Sequence, residues 1–162
     1  PPQEPVPAPE RIVLGADEVR AHALLQDADE SAVIVRDYVI EVAAGARLAP
    51  GTNGVTGILT CGSLTLAAGV TNVFDCTAAT NDSVAVTGTL TLQGANAVEL
   101  SFGSEAVPLH VPIFTFVSLS WEENLTSWTV TGTGSKYTSH VRRLGNQLVV
   151  VNAKKGLLLA VY

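Results

Sequence analysis

The sequence predicts an all-β fold built from short, repeated strands. A five-residue phrase, Gly62–Leu66, returns in nearly the same letters at Gly88–Leu92. Each copy is a turn residue followed by strict alternation of apolar and polar residues, which predicts a short strand with one buried face. Similar segments lie between and after the two copies, separated by Gly, Asn and Asp. This spacing is typical of a repeating β architecture.

The composition agrees with one domain that has a thin β core. The chain has 162 residues, of which 47% are apolar, 6% aromatic and 15% charged. No stretch approaches the roughly 20 apolar residues that a membrane helix needs, and no signal-peptide pattern stands at the start. Methionine is absent even from position 1. We therefore expect a processed or excised segment, whose export signal would precede Pro1.

The N-terminal third divides into two parts. Residues 1–10 are rich in proline and predict an extended tail or linker. Residues 11–57 predict a capping region that begins with a strand at Arg11–Leu14. Asp17–Asp29 favours a short helix because Asp17 is a suitable N-cap, although its apolar residues also alternate as in a strand. Ser31–Val42 is β-rich, and residues 44–57 read as a loop zone rich in Gly, Pro and Asn.

Residues 58–162 predict the repeat domain. Its last hairpin is the clearest local feature, because Gly145-Asn146 is a two-residue turn between two alternating segments. Leu157–Tyr162 predicts a final strand that must be covered on both faces. The other predicted strands are Leu64–Leu66, Val73–Cys76, Val84–Val86, Leu90–Leu92, Val98–Phe102, Leu109–Val111, Ile113–Val117, Trp128–Val130 and Tyr137–Val141.

Charge is distributed unevenly along the chain. The formal net charge is −6, and no Lys or Arg occurs from Leu48 to Ser135. This balance argues against nucleic acid as a partner, which would require a broad basic field. The basic residues of the C-terminal part either form a solvated face or contact an acidic surface such as the N-terminus of another copy. They are Lys136, Arg142, Arg143, Lys154 and Lys155.

The two cysteines, Cys61 and Cys76, fall in neighbouring predicted strands. If those strands stack one turn apart, their spacing of about 4.8 Å permits a disulfide. Two small buried side chains are an equally acceptable interpretation. With no third cysteine or histidine nearby, the pair does not predict a metal site. We expect no metal and no cofactor.

The sequence does not predict an enzyme. The three histidines, His22, His110 and His140, are far apart, and no serine stands in a nucleophile elbow. Asp75 and Asp82 are paired carboxylates of the kind that glycosidases use, but an Asn-Asp turn explains Asp82 more simply. We therefore predict no catalytic residues.

One segment predicts a binding surface. Trp121, Glu122 and Glu123 form a short aromatic and acidic cluster, and Tyr137 follows later in the chain. Exposed aromatic rings beside polar groups suit the stacking of sugars, so these four residues are candidate ligand-binding residues. Trp128 is expected instead to be a core residue.

From about Ile58 to Tyr162 the chain resembles the β-strand repeats of autotransporter-type passenger proteins. The matching elements include Gly62–Leu66, Asn81–Leu92, Trp128–Val130 and Gly145–Val150. The resemblance implies a single-stranded right-handed β-solenoid in an extracellular or outer-membrane-associated setting. It transfers no catalytic residues. An antiparallel β-sandwich is the alternative fold, because alternation alone does not separate stacked turns from hairpins.

The leading functional hypothesis is a non-enzymatic exported surface domain that acts as a stalk, adhesin or self-assembly module. Its acidic N-terminal part and basic C-terminal part suit head-to-tail association of copies. A carbohydrate-binding module that takes surface glycans is the alternative. A polysaccharide-degrading β-helix enzyme is the third and weakest candidate.

Overall fold

The computed structural model describes residues 11–14, 18–20, 32–51, 56–103 and 106–156, with side chains described from residue 39 onward. These residues form fourteen strands and one short 3-10 helix, Glu122–Ser127. The strands are β1 Arg11–Leu14, β2 Glu18–Arg20, β3 Ala32–Val42, β4 Arg47–Ala49, β5 Ile58–Leu66, β6 Thr71–Asp75, β7 Ser83–Val86, β8 Thr89–Leu92, β9 Ala97–Ser101, β10 His110–Thr115, β11 Ser118–Ser120, β12 Thr129–Thr131, β13 Tyr137–Leu144 and β14 Gln147–Lys154. The predicted all-β class is confirmed.

The strands form two sheets, and the chain passes from one to the other several times. One sheet has nine strands, with β1, β3, β5, β7, β10, β14 and β13 along its main path and β8 and β11 beside it. The other has five, in the order β12, β9, β6, β4, β2. Every strand pair up to β12 is parallel. The paired residues of these parallel strands are 24 (Arg47 and Thr71) to 32 (Ala97 and Thr129) positions apart, so each pair joins segments about one repeat apart.

The repeated phrase lies in register. Leu64 pairs with Leu90 and Leu66 pairs with Leu92, so the two copies lie side by side on β5 and β8. All four leucines are fully buried, and the threonines between them are half-buried. The burial of alternate residues that the sequence predicted is therefore confirmed. The leucines of the two copies belong to one continuous hydrophobic core. Phe74 and Phe114 add an edge-to-face contact with ring centroids 5.6 Å apart.

The glycine that opens the second copy is needed for close packing between the copies. A Cβ atom on Gly88 would lie 2.7 Å from the carbonyl oxygen of Gly62. A similar restriction holds at Gly94, where a Cβ would lie 2.6 Å from the Cβ of Ala68. Any larger residue at either position would force neighbouring strands apart.

The C-terminal hairpin of β13 and β14 covers the end of the nine-stranded sheet. β14 pairs antiparallel with β10 and β13 pairs antiparallel with β14. The predicted turn at Gly145-Asn146 is confirmed, and Gly145 has a φ of 60°. Asn146 does not share the positive φ, which identifies a type II′ rather than a type I′ turn. Two antiparallel steps restore direction, so β13 runs the same way as β10.

Two predictions for the N-terminal region were wrong. The segment favoured as a helix, Asp17–Asp29, contributes a strand at Glu18–Arg20, which pairs in parallel with Arg47–Ala49. That partner lies inside the stretch read as a loop. At Glu18–Arg20 the pairing with β4 at the edge of the five-stranded sheet outweighed the helix cap. Arg47–Ala49 pairs with strands on both sides, β2 and β6, and this pairing outweighed the nearby turn residues. The proline-rich segment 1–10 and the final strand expected at residues 157–162 lie outside the described residues.

Within the described ranges, no helix is long and apolar enough to cross a membrane.

Candidate functional site

A surface cleft of about 610 Å³ lies between the 3-10 helix and the edge strand β13. One wall is the helix, which follows directly on Trp121. The other wall consists of four consecutive residues of β13. Because successive side chains of a strand point to opposite faces, four consecutive residues line a cleft along the edge of the strand. The lining residues are Glu122, Glu123, Leu125, Thr126, His140, Val141, Arg142 and Arg143.

An ion pair closes one end of the cleft. The Nη1 atom of Arg143 donates to Oε2 of Glu122 at 2.7 Å, and its Nε atom donates to the carbonyl oxygen of Gly145 at 2.8 Å. The guanidinium group also lies 5.6 Å from the centroid of the Phe116 ring. The hairpin tip thereby contacts both the 3-10 helix and Phe116, the residue that follows β10. Since both charged side chains are partly exposed, the ion pair itself contributes at most about 1 kcal/mol.

Trp121 precedes the helix in a strained backbone conformation. Its φ and ψ are 63° and 45°, the left-handed region, and it is the one residue other than glycine with a positive φ among those described. A bulky side chain in this region costs on the order of 1–2 kcal/mol. The indole is nevertheless 53% exposed, so burial does not compensate for the strain. Such strain with an exposed aromatic ring is a feature of binding surfaces.

The structure brings together three of the four predicted ligand-binding residues. Glu122 and Glu123 line the cleft, and Trp121 adjoins it in the chain. Tyr137 does not join them, because it opens β13 whereas Arg143 stands near the other end, about 20 Å away along an extended strand. Tyr137 is half-buried and pairs with Lys154.

The core role expected for Trp128 is confirmed. It is 7% exposed, and its indole N–H donates to the carbonyl oxygen of Gly94 at 3.3 Å.

The five predicted assembly residues are all exposed but form two groups. Arg142 and Arg143 line the cleft. Lys136, Lys154 and Lys155 lie at the opposite end of the hairpin, where the backbone N–H of Lys155 donates to the carbonyl oxygen of Lys136 at 2.7 Å. The basic charge therefore follows the length of the hairpin.

The two cysteines are free, buried thiols, so of the two interpretations that the sequence left open the structure shows small buried side chains and not a disulfide. Cys61 lies in the nine-stranded sheet, where its register partners are Val35 and Val86. Cys76 follows the last strand residue of β6 in the other sheet. The two thiols therefore do not stack one turn apart. Burial raises the pKa of both to about 12, and the charges of Asp82 and Asp75 add to this effect at Cys76. Neither thiol is a nucleophile near neutral pH.

The carboxylate of Asp82 binds backbone N–H groups and has a structural role. It is 2% exposed, and its two oxygens accept the backbone N–H groups of Gly57 at 2.6 Å and Asp75 at 2.8 Å. It therefore ties the start of β5 to the end of β6. This geometry agrees with the structural role that the Asn-Asp turn suggested for Asp82. Because Asp82 is buried, Asp75 and Asp82 do not form a pair of carboxylates open to solvent.

The sequence pointed to Trp121, Glu122 and Glu123 but missed Leu125, Thr126 and His140 as neighbours of the cleft. No local signal identifies them, since the cleft exists only once the hairpin folds against the helix. His110 and His140 are exposed. Among the described residues, no group of three or more His, Cys, Asp or Glu side chains is arranged to hold a metal ion.

Comparisons with protein-family models, with curated proteins and with solved structures give no significant match to this chain.

Proposed function

We propose that this chain is a non-enzymatic β-solenoid module of an exported protein, and that it acts as a structural, self-assembling segment. One observation carries the proposal: the strands from β1 to β12 pair in parallel with strands about one repeat away, and Leu64–Leu66 of the repeated phrase pairs in register with Leu90–Leu92. Parallel neighbours separated by one repeat are what stacked turns produce, whereas an antiparallel sandwich produces hairpin neighbours. The exported setting and the right-handed coil rest on the resemblance to passenger repeats.

The mechanism of such a module is geometric. Each turn satisfies the backbone hydrogen bonds of the next, so that rigidity comes from the ladder rather than from a bulky core. Hydroxyl groups on the outer face add side-chain hydrogen bonds to the ladder, as between Thr89 and Ser118, whose side-chain oxygens lie 2.7 Å apart. Function then depends on the repetitive surface and on the two ends of the stack.

Light scattering behind size exclusion tests the self-assembly. Mass that grows with protein concentration at low salt and returns to the monomer at high salt is the expected result, because charge complementarity between exposed ends is screened by salt. Lys154→Glu combined with Lys155→Glu should abolish the association. A monomer at every concentration and salt would contradict the proposal. Release of product from uronic-acid polymers by the purified chain would contradict its non-enzymatic character.

Carbohydrate binding is the second candidate, and the conformation of Trp121 favours it. A strained and half-exposed indole beside two carboxylates and a cleft suits stacking on a sugar ring. A polysaccharide that binds there should change the tryptophan fluorescence of the wild type. The change should disappear in Trp121→Ala, while the buried Trp128 preserves a reference signal. A change of equal size in Trp121→Ala would reject this candidate.

A further inference from the structure

The chain contains two Asn-x-Ser/Thr sequences, the acceptor motif of N-linked glycosylation. They are Asn81-Asp82-Ser83 and Asn124-Leu125-Thr126, and neither has the proline in the middle position that prevents glycosylation. An N-linked glycan is bulky and hydrated, so the acceptor asparagine of a folded protein must lie at the surface. Its side-chain nitrogen must also give up one of its two hydrogens to the bond with the sugar. These two requirements distinguish the two asparagines.

The side-chain amide of Asn81 uses both of its hydrogens in the fold. Its Nδ2 atom donates to the carbonyl oxygens of Asp82 and Pro112, each at 2.6 Å. Because the amide nitrogen of asparagine carries two hydrogens, none is left that a sugar could replace without breaking one of these bonds. The residue in the middle of this motif, Asp82, is itself buried. The folded structure therefore disfavours a glycan at Asn81.

The side-chain amide of Asn124 uses one of its hydrogens. Its Nδ2 atom donates to the carbonyl oxygen of Leu92 at 2.6 Å, and in the part of the chain that the structure describes it has no second acceptor. One hydrogen can therefore be replaced by a sugar while the other keeps the bond to Leu92. Asn124 is half-buried in the 3-10 helix, and its neighbours Glu123, Thr126 and Ser127 are exposed. This surface position suits a glycan.

The residues before the two asparagines add a further distinction. Glu122 stands two positions before Asn124, whereas Ala79 stands two positions before Asn81. Bacterial oligosaccharyltransferases recognise an acidic residue at this position in addition to the Asn-x-Ser/Thr motif. In the folded chain Glu122 is paired with Arg143, so recognition has to precede the folding of the hairpin. Both the sequence and the folded structure thus favour Asn124 as the acceptor.

We propose that Asn124 is an N-glycosylation site that is modified as the chain is exported. This inference rests on the exported setting of the proposed function and does not depend on self-assembly. In the transfer, Nδ2 of Asn124 forms a bond to the anomeric carbon of a sugar carried on a lipid diphosphate. The bond between that carbon and the diphosphate oxygen breaks, the diphosphate leaves with the electron pair, and Nδ2 releases one proton. The folded chain then carries the glycan on the 3-10 helix.

Export of the full chain from a bacterium that has an oligosaccharyltransferase and its lipid-linked glycan tests the site. A leader peptide fused ahead of Pro1 directs the export. The intact mass of the wild type should increase by one glycan. Asn124→Gln should lose this increase, while the matched control Asn81→Gln should keep it. Thr126→Val should also lose the increase and Thr126→Ser should keep it, because the motif requires a hydroxyl group two positions after the asparagine.

A synthetic peptide of residues 119–129 provides a second measurement that does not depend on folding or export. The purified enzyme should glycosylate this peptide, and replacing its Glu122 with Gln should reduce the transfer. A second protein with a known acceptor site, exported from the same cells, shows that the enzyme is active.

Two results would overturn the site. In the first, the second protein is modified but neither the wild-type chain nor the peptide is. In the second, the increase in mass persists in Asn124→Gln. Either result leaves self-assembly standing, because light scattering measures that property on the unmodified chain. A chain that is glycosylated at Asn124 but stays monomeric at every concentration and salt would instead contradict the self-assembly and support the site.

Discussion

Replacing Gly132 with alanine tests how tightly the end of the five-stranded sheet is packed. Gly132 follows β12 closely and has a φ of 92°, and a Cβ atom there would lie 1.8 Å from the carbonyl oxygen of Leu100. That contact is far inside van der Waals distance and involves backbone, which a rotamer change cannot relieve. Gly134 has a similar φ of 81°, but a Cβ atom there would meet nothing within 4 Å.

The two variants separate strain from collision. Both pay the cost of a Cβ atom in the left-handed region, about 1–2 kcal/mol. Only Gly132→Ala must also push β12 from β9, and overpacking of this kind adds about 1–3 kcal/mol. We expect a difference of about 2 kcal/mol in the free energy of unfolding. With a urea dependence of about 2 kcal/mol per molar, the midpoint of Gly132→Ala should fall about 1 M below that of Gly134→Ala.

Urea unfolding followed by tryptophan fluorescence measures the difference, because the buried Trp128 reports on the same end of the sheet. Equal midpoints for the two variants would show that β12 is free to move away from β9. The close packing of Gly132 against Leu100 would then contribute little to the free energy of unfolding.

Three further predictions concern other parts of the described chain. Asp82→Ala should lower the free energy of unfolding by about 2–5 kcal/mol because two backbone donors lose their acceptor, and Asp82→Asn should lower it less. A decrease below about 1 kcal/mol for Asp82→Ala, measured by urea unfolding, would contradict the anchoring role of Asp82. The folded state keeps both thiols protonated up to pH about 12, whereas the unfolded thiols ionise near their ordinary pKa of 9.0. Stability should therefore fall between pH 9 and pH 12 by about 1.4 kcal/mol per pH unit for each thiol, and Cys61→Ala with Cys76→Ala should remove that part of the slope in alkaline unfolding curves. A double-mutant cycle with Glu122→Gln and Arg143→Gln should give a coupling of at most about 1 kcal/mol that weakens in high salt, and a salt-independent coupling would argue against an exposed ion pair.

The sequence alone predicted the local part of the fold because alternation determines which side chains a strand buries. Leu64 and Leu90 were assigned to buried faces from the pattern, and the structure confirms both. Alternation does not say which strand lies beside which. For this reason the sequence left open whether Cys61 and Cys76 stack one turn apart. In the structure the short connection after Leu66 carries the chain into the other sheet before Cys76 is reached.

The candidate site was predictable where it is contiguous in the chain. Trp121, Glu122 and Glu123 adjoin one another, and their chemistry is visible in three successive letters. The partner of Glu122 was not visible, because Arg143 meets it only after the hairpin turns back on β10. Tyr137 was grouped with Trp121 because the two are near in sequence. An extended strand nevertheless separates Tyr137 from Arg143, six positions later and at the cleft, by about 20 Å.

Because Leu64–Leu66 of the first copy pairs residue for residue with Leu90–Leu92 of the second, one more copy inserted between them would have the same pattern of residues on each side. The glycine at the start of the inserted copy would pack against the carbonyl group of the preceding copy's glycine, as Gly88 packs against Gly62. Its two leucines would pair with the leucines of the copies on either side. In the proposed solenoid, a duplication of one repeat within the gene would lengthen the stack by about one strand spacing of 4.8 Å and would leave the sequence of the hairpin unchanged.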